Sequence, residues 1–208
     1  MATMTSRIGP ADHGRAMTQQ EFLDAEQEEG FRYELARGVL EVTEVPNDAH
    51  GELEWFLVKS LGAYDQTHPG MIRRVAAGGT IRLWLPGMVS GRNPDLAIVL
   101  HDATKDSRSR RVPAMAIEIV SRGREAHERD YVTKRAEYLA YGLREYWIVD
   151  PITRQVLVLA RDGDVWVERT FVGDQAAEGL VLPGFVVRLP ELWAAAEEDG
   201  EEGHGAEG

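Results

Sequence analysis

Residues 115–120 read MAIEIV, an almost unbroken apolar run interrupted by one carboxylate, Glu118. Such a run suits a strand buried on both faces. A helical pattern follows from about Arg124 to Tyr141 and stops at Gly142, a residue suited to the left-handed position after a helix end. Next comes REYWIVDP (144–151), a second buried strand closed by Pro151. Upstream lie a helix and several strand candidates. The order helix, strands, helix, strand describes an α/β chain in the wider sense: a mixed sheet (α+β) with helices packed on it.

Residues 1–16 read as a flexible arm and 17–194 as one domain. Thr18 with Glu21 three residues later has the spacing of a capping box and predicts a short helix. YELARGVLEVTEV (33–45) alternates around Arg37-Gly38, a hairpin signal. From Asp48, taken as an N-cap, Leu53, Phe56, Leu57, Leu61 and Tyr64 recur at helical spacing. MIRRVA (71–76), TIRLWL (80–85) and PDLAIVL (94–100) predict strands, with Gly78-Gly79 and PGMVSGRN (86–93) as separators. QVLVLARDGDVWVERTF (155–171) predicts a hairpin turning at Asp162-Gly163, and VLPGFVVRLPELW (181–193) closes the domain.

The chain has 208 residues, enough for one domain, and its 43% hydrophobic and 28% charged content is that of a globular protein. No apolar run reaches the ~18–20 residues of a membrane span, and the opening residues lack the apolar stretch of a signal peptide. The absence of cysteine excludes a disulfide framework, a thiolate metal site and a cysteine nucleophile, and fits a cytoplasmic location.

A net charge of −12 argues at first against nucleic acid as a partner. Its distribution weakens that argument. Residues 197–208 carry six acids and no Lys or Arg, so half of the charge sits in a Gly-rich segment read, as 195–208, as a disordered tail. Between positions 105 and 124, Lys105, Arg108, Arg110, Arg111, Arg122 and Arg124 outnumber Asp106 and Glu118. Screening over about 8–10 Å lets such an island meet phosphates within an acidic protein. A solvated basic loop is the alternative reading.

Three charged residues sit where packing prefers apolar ones. Asp95 opens a strand and has no helix to cap, Glu118 lies inside MAIEIV, and Lys134 shares a helix stripe with Tyr131 and Tyr138. A carboxylate buried alone costs several kcal/mol, so Glu118 demands a partner. Two carboxylates on strands with a lysine from the next helix suit Mg²⁺ or Mn²⁺ and the hydrolysis of a phosphodiester. The same spacing also suits a Glu118–Lys134 ion pair that only fixes the helix on the sheet. Glu34 reads as an exposed strand glutamate, or one that leans toward such a site, His50 as a cap or surface residue, and Asp130 as a surface partner of Lys134. No H-E-x-x-H, G-x-S-x-G, Walker A or G-x-G-x-x-G motif occurs.

RYELARGVLEV (32–42), NPDLAIVL (93–100), AIEIVS (116–121), KRAEYLAYGLREYWIVDP (134–151) and VLPGFVVRLPELW (181–193) occur in an order that resembles the Uma-type putative restriction endonucleases of the PD-(D/E)XK nuclease superfamily. The likeness spans residues 18–193. It implies a restriction-endonuclease-like core with helices flanking a central mixed sheet. By this resemblance Asp95 and Glu118 match the acidic metal ligands, and Lys134 matches a lysine that has moved from the strand to the following helix. In the wider superfamily the lysine stands two residues after the second acid, where this chain has Val120. Glu34, in Tyr-Glu-Leu, is a further site residue by the same comparison. The expected activity is Mg²⁺- or Mn²⁺-dependent hydrolysis of DNA by a metal-activated water, with Arg108, Arg110, Arg111, Arg122 and Arg124 on phosphates. The alternative is a non-catalytic member that binds nucleic acid or a protein. A homodimer is an assembly open to such a fold.

Overall fold

The computed structural model describes residues 6–106 and 109–197. Arg108 and residues 198–208 of the expected acidic tail lie outside these described residues. The stretch read as one domain falls into two compact units, residues up to Pro46 with Ile81–Asn93, and Asn47–Thr80 with the chain from Pro94 onward.

The chain opens in the first unit with β1 (Arg7–Ile8), a 3₁₀ turn at Pro10–Asp12 and α1 (Gln19–Asp24). Thr18 and Glu21 form the expected reciprocal cap of α1. β2 (Glu26–Gln27) pairs in parallel with β1, and Ile8 is fully buried. From Ser6 onward the segment expected to be a flexible arm is therefore built into the fold. β3 (Phe31–Ala36) and β4 (Val39–Glu44) form the expected hairpin, with Arg37 at φ 50° and Gly38 at φ 80°. Both turn residues thus have the positive φ of a type I′ connection.

The second unit begins with α2 (Asp48–Thr67), capped by Asn47, whose side chain accepts from the His50 N–H, rather than by Asp48. β5 (Ile72–Ala77) follows. The chain then supplies β6 (Leu83–Leu85) and β7 (Ser90–Arg92) to the first unit, completing a sheet of order β4-β3-β7-β6. β7 comes from the segment read as a separator. Gly91 makes it possible, because a Cβ there would stand 2.7 Å from the Trp84 ring.

Arg92, wholly buried in β7, joins three strands of this sheet. Its Nη1 donates to Glu34 Oε2 at 3.0 Å and also pairs with Glu41, while the Asn93 N–H donates to Glu34 Oε1 at 2.5 Å. Glu34 is therefore a buried, bonded carboxylate and not an exposed strand residue. Arg92→Met leaves both carboxylates without that cation, and we expect a loss of about 3–5 kcal/mol of stability. Urea unfolding would show it as a lower midpoint at unchanged slope; a midpoint like that of the wild type would remove the pin from the account.

The rest of the second unit runs through β8 (Leu96–Leu100), β9 (Met115–Ile119) and a helical segment made of α3 (Arg124–Glu128), a π-helical turn (Arg129–Thr133) and α4 (Lys134–Tyr141). Gly142 ends it at φ 97°, the left-handed position its sequence predicts. β10 (Glu145–Asp150), β11 (Gln155–Asp162), β12 (Val165–Val172), β13 (Ala176–Glu178), β14 (Val186–Arg188) and α5 (Leu189–Ala195) complete the chain. Ladder pairing of Asp162 with Val165 places the hairpin loop at Gly163-Asp164, one residue beyond the expected turn.

The main sheet has the order β12-β11-β10-β9-β8-β5, parallel between β9 and β10 and antiparallel elsewhere. Every residue of β8, β9 and β10 is buried, as their apolar sequences require. Side chains alternate across these strands. Leu96, Ile98, Ile117, Ile119, Trp147 and Val149 join Leu53, Leu57 and Leu61 of α2 in one core. The other face carries Glu118 and Tyr146, which meet the helical segment through Tyr138 and Asp130.

Candidate metal centre and its buried ion pair

Asp95 stands one residue before β8. The β8–β9 ladder runs Ile98↔Met115, Ala97↔Ala116, Leu96↔Ile117 and ends there, so Asp95 stands at the bend just past its last rung. Asp95 Oδ2 accepts the Ile119 N–H at 2.8 Å, which holds the carboxylate against the strand that bears Glu118.

Both carboxylates are almost completely buried, and each has a cationic or polar neighbour from a helix. Glu118 Oε2 meets Lys134 Nζ at 2.9 Å, and Tyr138 donates to Oε1 at 2.6 Å. Lys134, only 4% exposed at its side chain, also lies 3.5 Å from Asp130 Oδ1. Asp130 is buried as well, with Arg129 Nε at 3.2 Å, so the expected surface pair is an interior one. The ion pair that the spacing allowed between Glu118 and Lys134 is thus present, and it lies beside Asp95.

From the other layer, His50 Nε2 of α2 approaches Asp95 Oδ1 at 3.2 Å. His50 occupies the first turn of α2 on the stripe that continues through Leu53, Leu57 and Leu61, which is why it faces inward. Ligand atoms of His50, Glu54 and Asp95 lie within 4.8 Å of one another. Glu118 is not in this group.

Charge organises this cluster. Burial would raise the Asp95 carboxyl, but the contact with His50, the charges of His50 and Lys134 and the Ile119 N–H outweigh it and hold that carboxyl well below the usual range. Burial pushes the Tyr146 hydroxyl well above its ordinary value, and the carboxylates of Asp130, Glu118 and Asp95 push in the same direction. Asp95, Glu118 and Asp130 therefore act on one interior region.

A divalent cation fits the first of these groups on its donor chemistry. His50 Nε2 is buried and makes no aligned hydrogen bond, and it stands beside two carboxylates. An imidazole nitrogen and carboxylate oxygens are common donors for Mn²⁺, and the oxygens for Mg²⁺. His50 and Glu54 were not singled out as ligands from sequence. The available signal was a His-x-x-x-Glu spacing at the start of an amphipathic helix, with the histidine taking a place on its apolar stripe.

The basic island divides. Arg110 is tied to Asp106 at 2.7 Å, and Arg111 donates to the Ala103 carbonyl at 3.0 Å, both within the loop before β9. Arg122 and Arg124, which flank the start of α3, are exposed. No helix of the described residues is long and apolar enough to cross a membrane.

Three comparisons with known proteins bear on this geometry. The solved structure of a putative nuclease of DUF820 from Anabaena variabilis ATCC 29413 is similar over 86% of this chain and 99% of its own, at 18% identity and a TM-score of 0.67. That likeness shows the shared fold, a mixed sheet with flanking helices. No curated protein matches. The family model described as Uma2, putative restriction endonuclease, matches residues 19–190. By that match over most of its length, the chain belongs to the Uma2 family of putative restriction endonucleases.

Proposed function

We propose that the protein is an endodeoxyribonuclease that hydrolyses DNA phosphodiester bonds with a divalent cation, Mg²⁺ or Mn²⁺. The observation that carries this reading is the placement of Asp95 beside both His50 of α2 and the buried Glu118–Lys134 pair. Asp95 is the central ligand; Glu54 and His50 complete one donor group, and Glu118 is the second acidic ligand that the family resemblance implies. When bound, such a cation polarises the scissile phosphate and lowers the pKa of an attacking water.

The chain's own residues do the rest. Lys134 is held at a fixed place by Glu118 and Asp130, and its ammonium offsets negative charge that develops at the phosphate. Arg122 and Arg124 offer exposed guanidinium groups to backbone phosphates, which position DNA without reading its sequence. Arg110, Arg111 and Arg108 belong to the same proposal as the remainder of the island. Glu34 enters it as a further acidic residue, whose carboxylate Arg92 and Asn93 already hold.

Chelator-treated protein supplied with Mg²⁺ or Mn²⁺ should nick supercoiled plasmid. An imidazole among the donors favours Mn²⁺, so half-maximal nicking should need less Mn²⁺ than Mg²⁺. Lys134→Ala should nick at least about 10²-fold more slowly. Plasmid that stays intact with every divalent ion tried, yet is retarded by the protein in gels, would replace this reading with a non-catalytic nucleic-acid binder.

A further inference from the structure

On the surface of α2, one residue beyond Glu54, stands Trp55, 54% exposed. Trp84 and Trp166 are partly buried and Trp147 and Trp193 fully so, which makes Trp55 the exposed tryptophan among the described residues. Lys59, four residues on and also exposed, places its ammonium 5.6 Å from the centroid of the Trp55 ring. Four residues back is Gly51, exposed, where an added Cβ would meet nothing within 4 Å. Helical side chains lean toward the N-terminus, so the ground that Trp55 overhangs lies over the turn of Gly51. The three residues form one surface row: an open place, an indole, a cation.

Leaving a large indole in water loses the burial that its area would otherwise give. A lone Trp–Lys contact on a helix surface is one way to shelter part of it. The position argues for more. His50 and Glu54, two of the three clustered donors, share the first two turns of α2 with Trp55, and Trp55 follows Glu54 by about 1.5 Å of rise and about 100° of rotation. His50 lies about 140° around the helix from Trp55, so the row occupies the solvent side of α2, and a strand running from those donors over the first turns of the helix would meet it. Base–aromatic stacking needs an accessible ring face, and backbone tracking needs a cation beside it.

We propose that Trp55, Lys59 and the open surface at Gly51 form a stacking platform for an unpaired base of single-stranded DNA, with Lys59 on the adjoining phosphate. The proposal rests on the nuclease reading for its choice of ligand, and its test does not depend on cleavage. Trp55 stacks on the base and Lys59 supplies charge without base selection, so the platform tolerates any sequence. It favours frayed, looped or single-stranded DNA over intact duplex, whose bases are already stacked.

The test is binding of oligo(dT) and of a hairpin duplex in the presence of chelator, followed by tryptophan emission. Oligo(dT) should quench the exposed indole and bind more tightly than duplex. Trp55→Ala should weaken oligo(dT) binding about 5- to 150-fold, the range expected of one base stacked on an aromatic ring. Trp55→Phe should recover most of it. Lys59→Ala should lower the salt slope by about 0.7, one phosphate contact on a single strand. Gly51→Leu, which fills the open place, should mimic Trp55→Ala while keeping the helix, as read by circular dichroism.

Wild-type and Trp55→Ala proteins that bind oligo(dT) equally, emission that does not move at saturation, or no oligo(dT) binding at all would each overturn the platform. The first of these with plasmid nicking intact leaves the nuclease reading standing, with Trp55 free for a protein partner. Trp55-dependent binding without nicking under any metal retains the platform and removes the nuclease reading.

Discussion

Asp95→Asn is expected to lower metal-dependent DNA nicking by more than about 10²-fold, because replacing even the partner of a metal ligand costs about 10- to 100-fold. The substitution keeps the shape of the side chain and removes its charge from the point where His50, the Ile119 N–H and the field of Lys134 converge. Stability should change with a defined pH profile. The Asp95 carboxyl is held below its ordinary range in the folded protein, so ionisation stabilises the fold above the unfolded value near ~3.9 and ceases to do so as pH falls through the lower folded value. The gap in stability between wild type and Asp95→Asn should therefore stay level above about pH 5 and close from about pH 4 downward. Urea midpoints at several pH values measure it. A gap that widens on acidification would show that Asp95 is not the charge-stabilised group described here.

Lys134→Met is expected to destabilise the fold as strongly as Arg92→Met. It leaves Glu118 and Asp130 in the interior without their shared ammonium, and breaking a buried pair from one side costs about 3–5 kcal/mol. For a chain of this size that corresponds to a Tm lower by roughly 6–20 °C. Nicking should fall as well. The two effects separate in the double variant Lys134→Met with Glu118→Gln, which removes the stranded charge with its partner. Thermal unfolding should recover a large part of the lost stability, the sign of a directly coupled pair, while plasmid nicking should not recover. Recovery of both would mean that the pair serves only to hold the helix on the sheet.

The strands that carry this site were legible because their composition leaves no other option. MAIEIV and EYWIVD are apolar enough that only burial on both faces accommodates them, and a single carboxylate in the first announces a buried partner. Lys134 was legible from its stripe with Tyr138, which indeed meets Glu118. The resemblance in motif order supplied the fold, and it implies the metal-site roles that spacing alone left shared with a structural ion pair. Local signals failed where long-range contacts decide. β7 forms from Ser90 and Gly91, which favour turns in isolation, together with Arg92, because Gly91 lets the Trp84 ring lie against the strand and Arg92 finds two carboxylates on the neighbouring hairpin. Ile8 is buried by pairing with a strand about twenty residues later, which no window at the N-terminus reveals. His50 was misread for a related reason: a histidine in a first turn has local uses, and only the approach of Asp95 from another element shows which one applies.

The π-helical turn at Arg129–Thr133 has a consequence for how this protein can vary. Such a turn amounts to one residue inserted into an α-helix, and it separates the exposed start of α3 from the residues that reach Glu118. Removing one residue there would restore ordinary winding and leave everything downstream in nearly its present phase, because the wide turn absorbs its extra residue locally. Lys134 and Tyr138 would then still face Glu118. A residue removed from a regular turn with the wide turn kept would instead swing them by about 100°. Between Glu118 and Lys134 the chain should therefore accept the loss of one residue at this turn more readily than elsewhere in the helix, and a relative one residue shorter there could keep its lysine on the same carboxylate with an unbroken α-helix.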